Sequence, residues 1–312
     1  MKEFRHIPVL LEECMDALAI RPDGIYVDGT LGGGGHAGAI LQRLEGGRLI
    51  GIDQDSDAVA AASERLQAYQ EALTVVHASY GQMSRIIHGL GYQRVSGILL
   101  DLGVSSFQLD EASRGFSYMQ EDAALDMRMD RERSLTAADI VNTYSEEELT
   151  GLFREYGEER FSGRIARAVV KKRGTAPIQT AGELNALIRE ATPAKYQQNG
   201  SHPSKRVYQA LRIEVNDELG VLRESIDGMI DLLAEGGRLC IITFHSLEDR
   251  IVKQAFKRNE DPCTCPKELP VCVCGKRSKG RVISRKPILP RAEEVARNRR
   301  AKSAKLRVFE RG

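Results

Sequence analysis

The first hundred residues alternate between short apolar runs and segments whose apolar residues recur at helical spacing. The apolar runs are GIYVDGT, RLIGIDQD, LTVVHAS and VSGILLDLG, and a helical segment follows each of the first three. Strands joined by crossover helices in this order form a parallel sheet. Because the runs are apolar nearly throughout, they predict strands that helices cover on both faces.

After DLGVSS the pattern changes to helices separated by polar loops, with no convincing strand. Capping boxes at Ser145 with Glu148 and at Thr180 with Glu183 predict two of the helix starts. From 207 to 235 apolar residues again recur at helical spacing, until GG ends the helix and RLCIITF resumes the strand pattern. The chain is therefore predicted to form an α/β domain with a doubly wound sheet from residues 1–106 and 217–312, interrupted by an all-helical domain at residues 107–216.

The loop DGTLGGGGHAG connects the first predicted strand to the first crossover helix. Glycines at such a turn let a ligand approach the backbone closely, and the helix N-terminus attracts negative charge. A P-loop is excluded because the loop continues with Ala-Ile instead of Lys-Ser/Thr. The dinucleotide fingerprint is matched by Gly33, Gly35 and Gly38, with Asp53 about twenty residues further on. This match leaves a nicotinamide-dependent oxidoreductase open.

Three features favour S-adenosylmethionine as the ligand. Asp28 closes the first strand just before the glycines, where a carboxylate suits the cationic amino group of a methionine better than a pyrophosphate. Asp101 ends the fourth strand at the carboxyl edge of the sheet, where open α/β sheets bind their ligands. The segment LLAEGGRLCIITF resembles the stretch before the fifth strand of class I methyltransferases. Together they predict the Rossmann-like fold of that class.

Several longer motifs carry a more specific resemblance. They are HIPVLLEE, DGTLGGGGHAG, DLGVSSFQLD, RGFSY, LDMRMD, HPSKRVYQALRIEVNDEL and TFHSLEDRIVK. Together they resemble the bacterial ribosomal RNA small-subunit methyltransferase H family, also called MraW, from about His6 to Arg307. The resemblance implies that S-adenosylmethionine is the cofactor and that N4 of a cytidine in the decoding centre of 16S ribosomal RNA, within the small subunit, is methylated. DNA is not expected as a partner.

The resemblance also implies which residues bind the cofactor, with the inserted helical domain recognising the substrate. The implied cofactor residues are Gly34, Gly35, His36, Asp53, Tyr80, Asp101 and Gln108. Asp53 is expected to bind the ribose hydroxyls, because it ends the second strand in this frame. No metal is implied for the reaction.

The candidate catalytic residue is Asp101. The exocyclic amine of cytosine is a poor nucleophile, so a site must orient it and accept a proton as the methyl group transfers in line. Ser105 and Ser106 are the other polar groups available nearby in sequence. DNA enzymes that methylate such amines carry an Asn/Asp/Ser-Pro-Pro-Tyr/Phe motif at this strand end, and DLGV lacks the prolines and the aromatic residue of that motif.

Charge is distributed unevenly along the chain. Residues 276–312 contain 14 Lys or Arg and 3 Asp or Glu, a local charge of +11 in a chain whose net charge is +1. The segment is interpreted as a solvated tail, as an arm that grips RNA phosphates, or as a strand and helix that complete the fold. Lys205, Arg206 and Arg212 on a predicted helix are likewise either a solvated face or phosphate contacts.

Four of the six cysteines form the pattern C-x-C-x6-C-x-C at Cys263, Cys265, Cys272 and Cys274. They predict a structural zinc site, a reduced loop or a regulatory disulfide, and these alternatives stay open. The N-terminal residues lack a signal-peptide pattern and no run is apolar enough to span a membrane, so a soluble, cytoplasmic protein is expected. The alternative functions are a nicotinamide-dependent oxidoreductase and a non-catalytic RNA-binding protein.

Overall fold

The computed structural model describes residues 8–197, 202–266 and 273–312. The chain divides into two compact units, one formed by residues 1–103 with 219–312 and the other by residues 104–218. The division predicted from sequence, at 106/107 and 216/217, differs from these bounds by a few residues at each end.

The described residues of the first unit form one sheet of seven strands. The strands are β1 (Ile25–Asp28), β2 (Arg48–Asp53), β3 (Leu73–His77), β4 (Val95–Asp101), β5 (Leu233–Thr243), β6 (Gly280–Val282) and β7 (Lys305–Arg311). Their order is β3-β2-β1-β4-β5-β7-β6. The first five strands pair in parallel, and β7 lies antiparallel between β5 and β6. This is the class I, Rossmann-like fold that was predicted, although the antiparallel strands make the sheet mixed.

Fourteen α-helices lie in the described residues. In chain order they are α1 (Leu11–Leu18), α2 (Gly35–Leu41), α3 (Ser56–Arg65), α4 (Met83–Gly89), α5 (Ser106–Asp110), α6 (Ala137–Thr143), α7 (Glu146–Glu155), α8 (Ser162–Arg173), α9 (Ala181–Ala191), α10 (Ala194–Gln197), α11 (Lys205–Asn216), α12 (Glu218–Leu232), α13 (Ser246–Glu260) and α14 (Ala292–Arg297). Short 3-10 turns supplement them, including one at Tyr80–Gln82 directly after β3.

The central strands are apolar nearly throughout, apart from residues such as the aspartates that end them, because both faces of the sheet are covered. Successive residues of a strand point to opposite faces. Tyr26 and Leu99 belong to one apolar cluster, whereas their neighbours Val27 and Ile98 belong to another, and all four are at most 1% exposed. Burial on both sides explains why these strands carry no polar alternation.

The second unit is helical, with one apolar cluster that includes Phe153, Ile165, Leu184 and Leu211. Both predicted capping boxes are present: the side-chain oxygens of Ser145 and Thr180 accept hydrogen bonds from the amides three residues on, at 3.1 and 3.3 Å. The described residues of this unit contain no strand, only an isolated bridge between residues 124 and 180.

The predicted continuous helix from 207 to 235 is wrong. Asp217 has a left-handed φ of 51° and separates α11 from α12, and residues 233–235 belong to β5. The buried side chain of Asn216 donates to the carbonyl of Met127 at 2.8 Å and accepts from the amide of Met129 at 2.8 Å. Helical periodicity continues through the break, so the apolar pattern alone did not reveal it.

Candidate active site

Three carboxylates lie at one edge of the sheet in the first unit. Asp28, Asp53 and Asp101 are the last residues of β1, β2 and β4. Strand β1 lies between the other two, and Asp28 is in register with Gly51 on one side and Leu99 on the other. The carboxyl ends of parallel strands form the edge at which open α/β sheets bind ligands. The fold therefore collects these acids where a ligand is expected.

The glycine loop follows β1 and turns sharply before α2. Gly32 and Gly34 adopt left-handed φ values of 51° and 72°. A Cβ on Gly34 would lie 2.9 Å from a methyl of Leu66, and one on Gly35 would lie 2.5 Å from Pro8 Cγ. Helix α2 begins at Gly35, earlier than the AILQRL segment in which the sequence pattern placed it. Backbone conformation and packing thus account for glycine at 34, and packing for glycine at 35.

Gly33 differs from its neighbours in the loop. A Cβ added there would meet no atom of a described residue within 4 Å, and its φ does not lie in the left-handed region. Neither packing among the described residues nor backbone strain explains why this position has no side chain. A bare backbone beside open space is suited to close approach by a bound ligand.

The carboxylate of Asp53 holds this loop and the start of α3. Its Oδ2 accepts a hydrogen bond from the amide of Gly32 at 2.7 Å, and its Oδ1 accepts one from the amide of Asp55 at 2.9 Å. Burial raises the pKa of Asp53 to about 6, and these amide hydrogen bonds oppose that rise. Because a carboxylate offers about four acceptor positions, both oxygens retain capacity for ligand hydroxyls.

Asp28 and Thr30 connect the loop to β4. Asp28 is 1% exposed, and its Oδ1 accepts from the amide of Thr30 at 3.2 Å. Thr30 Oγ1 in turn accepts from the amide of Asp101 at 2.6 Å. Burial raises the pKa of Asp28 to about 7, the hydrogen bond from Thr30 opposes this, and the charge of Asp53 adds to it. Asp28 therefore positions the loop from within the core. Thr30 was not among the residues predicted from sequence, although it lies only two residues after the strand-end Asp28.

Asp101 faces His36, the histidine of the glycine loop. His36 is 5% exposed, and its Nε2 lies 3.0 Å from the carbonyl oxygen of Val9, so this nitrogen carries a proton and donates it. The other ring nitrogen, Nδ1, lies 3.8 Å from Asp101 Oδ2. Burial raises the pKa of Asp101 to about 8, and the charges of Asp28 and Glu248 add to the rise.

The second oxygen of Asp101 distinguishes this residue from the other acids at the edge. Oδ1 is buried and accepts no hydrogen bond from any described residue, although the whole side chain is 19% exposed. A buried acceptor without a donor is costly, and native structures keep few of them. A bound amine or hydroxyl at this point would satisfy it.

Glu248 is a further buried acid near Asp101 that the sequence analysis did not single out. It is 2% exposed, and its Oε2 accepts from the amides of Phe244 and His245 at 2.8 and 3.3 Å. His245 Nε2 lies 3.1 Å from Glu248 Oε1. The segment HSLE has the spacing of a capping box, which is the signal that could have identified this role at the start of α13.

The sequence model of one protein family, described as the MraW methylase family, matches residues 3–312. The chain belongs to the MraW methylase family. It is 60% identical to ribosomal RNA small subunit methyltransferase H 2 of Agathobacter rectalis, and the alignment covers 99% of this chain and 98% of that protein. It is 61% identical to ribosomal RNA small subunit methyltransferase H of Lachnospira eligens, with 99% of this chain and 98% of that protein aligned. It is 52% identical to the protein of the same name from Clostridioides difficile, with 99% of each chain aligned.

Two residues assigned to the cofactor by resemblance to the MraW family have local roles of their own. Tyr80 lies in the 3-10 turn after β3 and packs, partly buried, against the apolar cluster that contains Val27. Gln108 belongs to the second unit, where its Oε1 accepts from the amide of Ser105 at 2.9 Å and its amide donates to Ser105 Oγ at 3.1 Å. This capping box at α5 explains why Gln108 is buried, and cofactor binding by either residue stays a prediction.

Much of the basic segment 276–312 of this MraW chain is part of the fold. Arg307 lies in β7, is 6% exposed and donates to Asp249 Oδ1 at 2.6 Å. Arg311 in the same strand lies 3.1 Å from Asp231 Oδ1. Interpreting the whole segment as a solvated tail or RNA arm is therefore wrong for these two residues. For β7, the third interpretation is correct, since this strand completes the sheet.

Other basic residues remain on the surface. Arg297, Arg299 and Arg300 are exposed, in and after α14. Arg212, by contrast, makes a bidentate pair with Glu218 at 2.7 and 2.9 Å, and the two side chains are 16% and 10% exposed. Pairing with that carboxylate leaves Arg212 poorly placed for the phosphate contact considered from sequence.

Within the ranges that the structure describes, no helix combines the length and apolar character needed to cross a membrane.

Proposed function

We propose that this chain transfers the methyl group of S-adenosylmethionine to N4 of a cytidine in the decoding centre of 16S ribosomal RNA, within the small subunit. Membership of the MraW methylase family and relatives named ribosomal RNA small subunit methyltransferase H support it. The observation that carries the chemistry is the buried Oδ1 of Asp101, which lacks a donor among the described residues and lies at the carboxyl edge of the sheet.

The residues at this edge fit the cofactor. Asp53 has acceptor capacity for the two ribose hydroxyls beyond the amides it already binds. The bare backbone at Gly33 leaves room for a ligand to lie against the loop. When bound, S-adenosylmethionine supplies an electrophilic methyl group on a positively charged sulfur. Acidic groups suit that charge, and the sheet edge contains three of them.

The acceptor amine would be oriented by Asp101. An N–H of the cytosine amine donates to Asp101 Oδ1, which directs the nitrogen and satisfies the buried oxygen. After the methyl group is transferred, the nitrogen carries a positive charge and must lose a proton. In its ionised form, a carboxylate whose pKa is raised to about 8 binds that proton more strongly than an ordinary aspartate. His36 Nδ1 lies 3.8 Å from Oδ2, longer than a hydrogen bond, and faces the carboxyl that takes up the proton.

The helical unit is assigned to RNA recognition. A cytosine paired in a helix has its N4 amine engaged, so the target must be single-stranded or leave its stack. Exposed basic residues supply phosphate contacts that position the RNA without reading its sequence. The candidates are Lys205 and Arg206 at the start of α11 and Arg297, Arg299 and Arg300 near the C-terminus.

The test uses small subunits from a strain that lacks the protein. Added purified protein and S-adenosylmethionine with a labelled methyl group should label 16S ribosomal RNA, and mass spectrometry should locate one new methyl group on N4 of a cytidine. RNA that is bound but never methylated would favour a non-catalytic RNA-binding protein. Tight NADH binding without affinity for S-adenosylmethionine would favour the oxidoreductase that the glycine spacing left open.

A further inference from the structure

The segment between α13 and β6 contains the cysteine pattern, which the function proposed above does not use. Residues 261–266 and 273–279, its described parts, contain no helix or strand. The base of the loop is closed, because the amide of Lys279 donates to the carbonyl of Asn259 at 2.9 Å and the amide of Val282 to Glu260 Oε1 at 2.8 Å. A cross-link that closes a long loop stabilises the folded protein, because it reduces the conformational entropy of the unfolded chain.

The structure brings the two ends of the cysteine pattern together. The sulfur atoms of Cys263, Cys265 and Cys274 all lie within 4.8 Å of one another. The sulfur atoms of Cys263 and Cys274 are 4.0 Å apart. Four sulfur ligands at 2.3 Å from a tetrahedral zinc ion are about 3.8 Å apart, so this spacing suits a shared ion. It is far longer than the roughly 2 Å bond of a disulfide.

A second observation concerns the backbone around these sulfurs. The amide of Val273 donates a hydrogen bond to Cys265 Sγ at 3.4 Å, and hydrogen bonds of this kind orient the side chains that bind a metal. Gly275, directly after Cys274, has a left-handed φ of 67°, so the chain turns immediately beyond the ligand. Exposed Lys276 and Arg277 follow directly in the chain.

We propose that Cys263, Cys265 and Cys274 hold a structural zinc ion that ties the ends of this loop together. Each thiol releases its proton to solvent on binding, since the thiolate is the ligand. The fourth ligand of a tetrahedral ion is predicted from sequence at Cys272, which lies outside the described residues. Sulfur ligands select zinc over magnesium or calcium, and a fully occupied sulfur set leaves no open position for catalysis.

The experiment uses the full chain, purified under a non-metal-binding reductant and without chelator. Elemental analysis should find about one zinc per chain in the native protein and in Thr264→Ser, a matched control between two of the ligands. Cys263→Ser and Cys274→Ser should each lose most of it. Reduced native protein that contains no zinc and takes up none when zinc is added would overturn the proposal.

A cobalt titration of the native protein tests sulfur ligation without relying on variants that can fail to fold. Co²⁺ bound by thiolates produces a sulfur-to-metal charge-transfer absorption that saturates at about one ion per chain, and added zinc should abolish it. Absence of that absorption would overturn sulfur ligation even if some metal co-purifies.

Limited trypsin digestion tests the structural role. Cleavage after Lys276 or Arg277 should be slow in the zinc-loaded protein and several-fold faster after chelation, in native protein and Thr264→Ser alike. Equal cleavage with and without zinc would overturn the assignment of the ion to loop stabilisation.

Discussion

The carboxyl edge of the sheet and strand β7 both contain charged residues that the sequence suggested for ligand binding, but the fold treats them differently. Asp28 and Asp53 accept backbone amide hydrogen bonds, and one oxygen of Asp101 accepts none from the described residues. Arg307 and Arg311 instead pair with carboxylates of the same unit. A charged side chain is available to a ligand only where the fold has not already neutralised it.

The pKa values of the two regions reflect the same difference. Burial raises the pKa of Asp28 to about 7 and that of Asp101 to about 8, because few hydrogen bonds and no adjacent guanidinium stabilise the ionised forms at these positions in the described structure. The pKa of Asp249 is lowered overall: burial would raise it, but hydrogen bonds from Arg307 and Lys305 prevail. Asp28 and Asp101 at the sheet edge can thus exchange protons near neutral pH, whereas Arg307 of β7 and Asp249 stay charged and stabilise the fold.

The largest effect is expected at Asp101. Asp101→Asn should leave the fold intact and lower the rate of methyl transfer at least about 100-fold, because a positioned proton acceptor is lost. Single-turnover assays on small subunits measure it. Asp231→Asn, which alters an acid paired with Lys279 and Arg311, is the control and should retain a near-native rate. A near-native rate in Asp101→Asn would make that residue structural.

The next effect concerns Asp53. Asp53→Ala should weaken S-adenosylmethionine binding by about 2 kcal/mol, roughly 30-fold, since charge-assisted hydrogen bonds to the ribose disappear. Calorimetry measures this affinity. The variant also loses the contacts to the amides of Gly32 and Asp55, so a melting curve must accompany it. Unchanged affinity in a folded variant would remove the ribose role.

A third comparison separates the two kinds of arginine. Arg307→Gln should destabilise the fold by about 2 kcal/mol, because Asp249 loses a charged hydrogen-bond partner, while leaving the salt dependence of RNA binding unchanged. Neutralising Arg297, Arg299 and Arg300 together should instead reduce the slope of log affinity against log salt by about two and lower the melting temperature less than Arg307→Gln does. An unchanged slope in the well-folded triple variant would contradict the RNA contact.

The smallest effect is a difference in the pH dependence of stability. Because the folded pKa of Asp28 is raised to about 7, folding takes up a proton between about pH 4 and that value, so its contribution to stability is lost as pH rises. Asp249 has a lowered pKa, so its contribution is present at neutral pH and lost as pH falls through the acid range. In Asp28→Asn, the free energy of unfolding should therefore decrease less as pH rises toward neutral. In Asp249→Asn, it should decrease less as pH falls into the acid range. Denaturant unfolding at several pH values measures both effects. The assignment is wrong if the two substitutions change the pH dependence of the unfolding free energy in the same direction.

Local patterns in the sequence were enough for the fold and for part of the site. Apolar runs without alternation predicted β1, β2 and β4, because strands covered on both faces need apolar residues at every position. The acids that end these strands predicted the edge, since parallel strands place their carboxyl ends together. Ser145 and Thr180 were recognised as helix caps because a capping box is closed within four residues.

The pairing of charges depended on tertiary structure. Arg307 meets Asp249 only because β7 inserts antiparallel between β5 and β6, next to a strand far away in sequence. The contact of His36 with the carbonyl of Val9, and the lack of a donor for Asp101 Oδ1 among the described residues, likewise depend on where distant segments lie. Hydrophobic periodicity reports which face of an element is buried, and capping reports hydrogen bonds over a few residues. The sequence by itself therefore determined the elements and the strand-end acids. Which charges stay available to a ligand was decided by long-range packing.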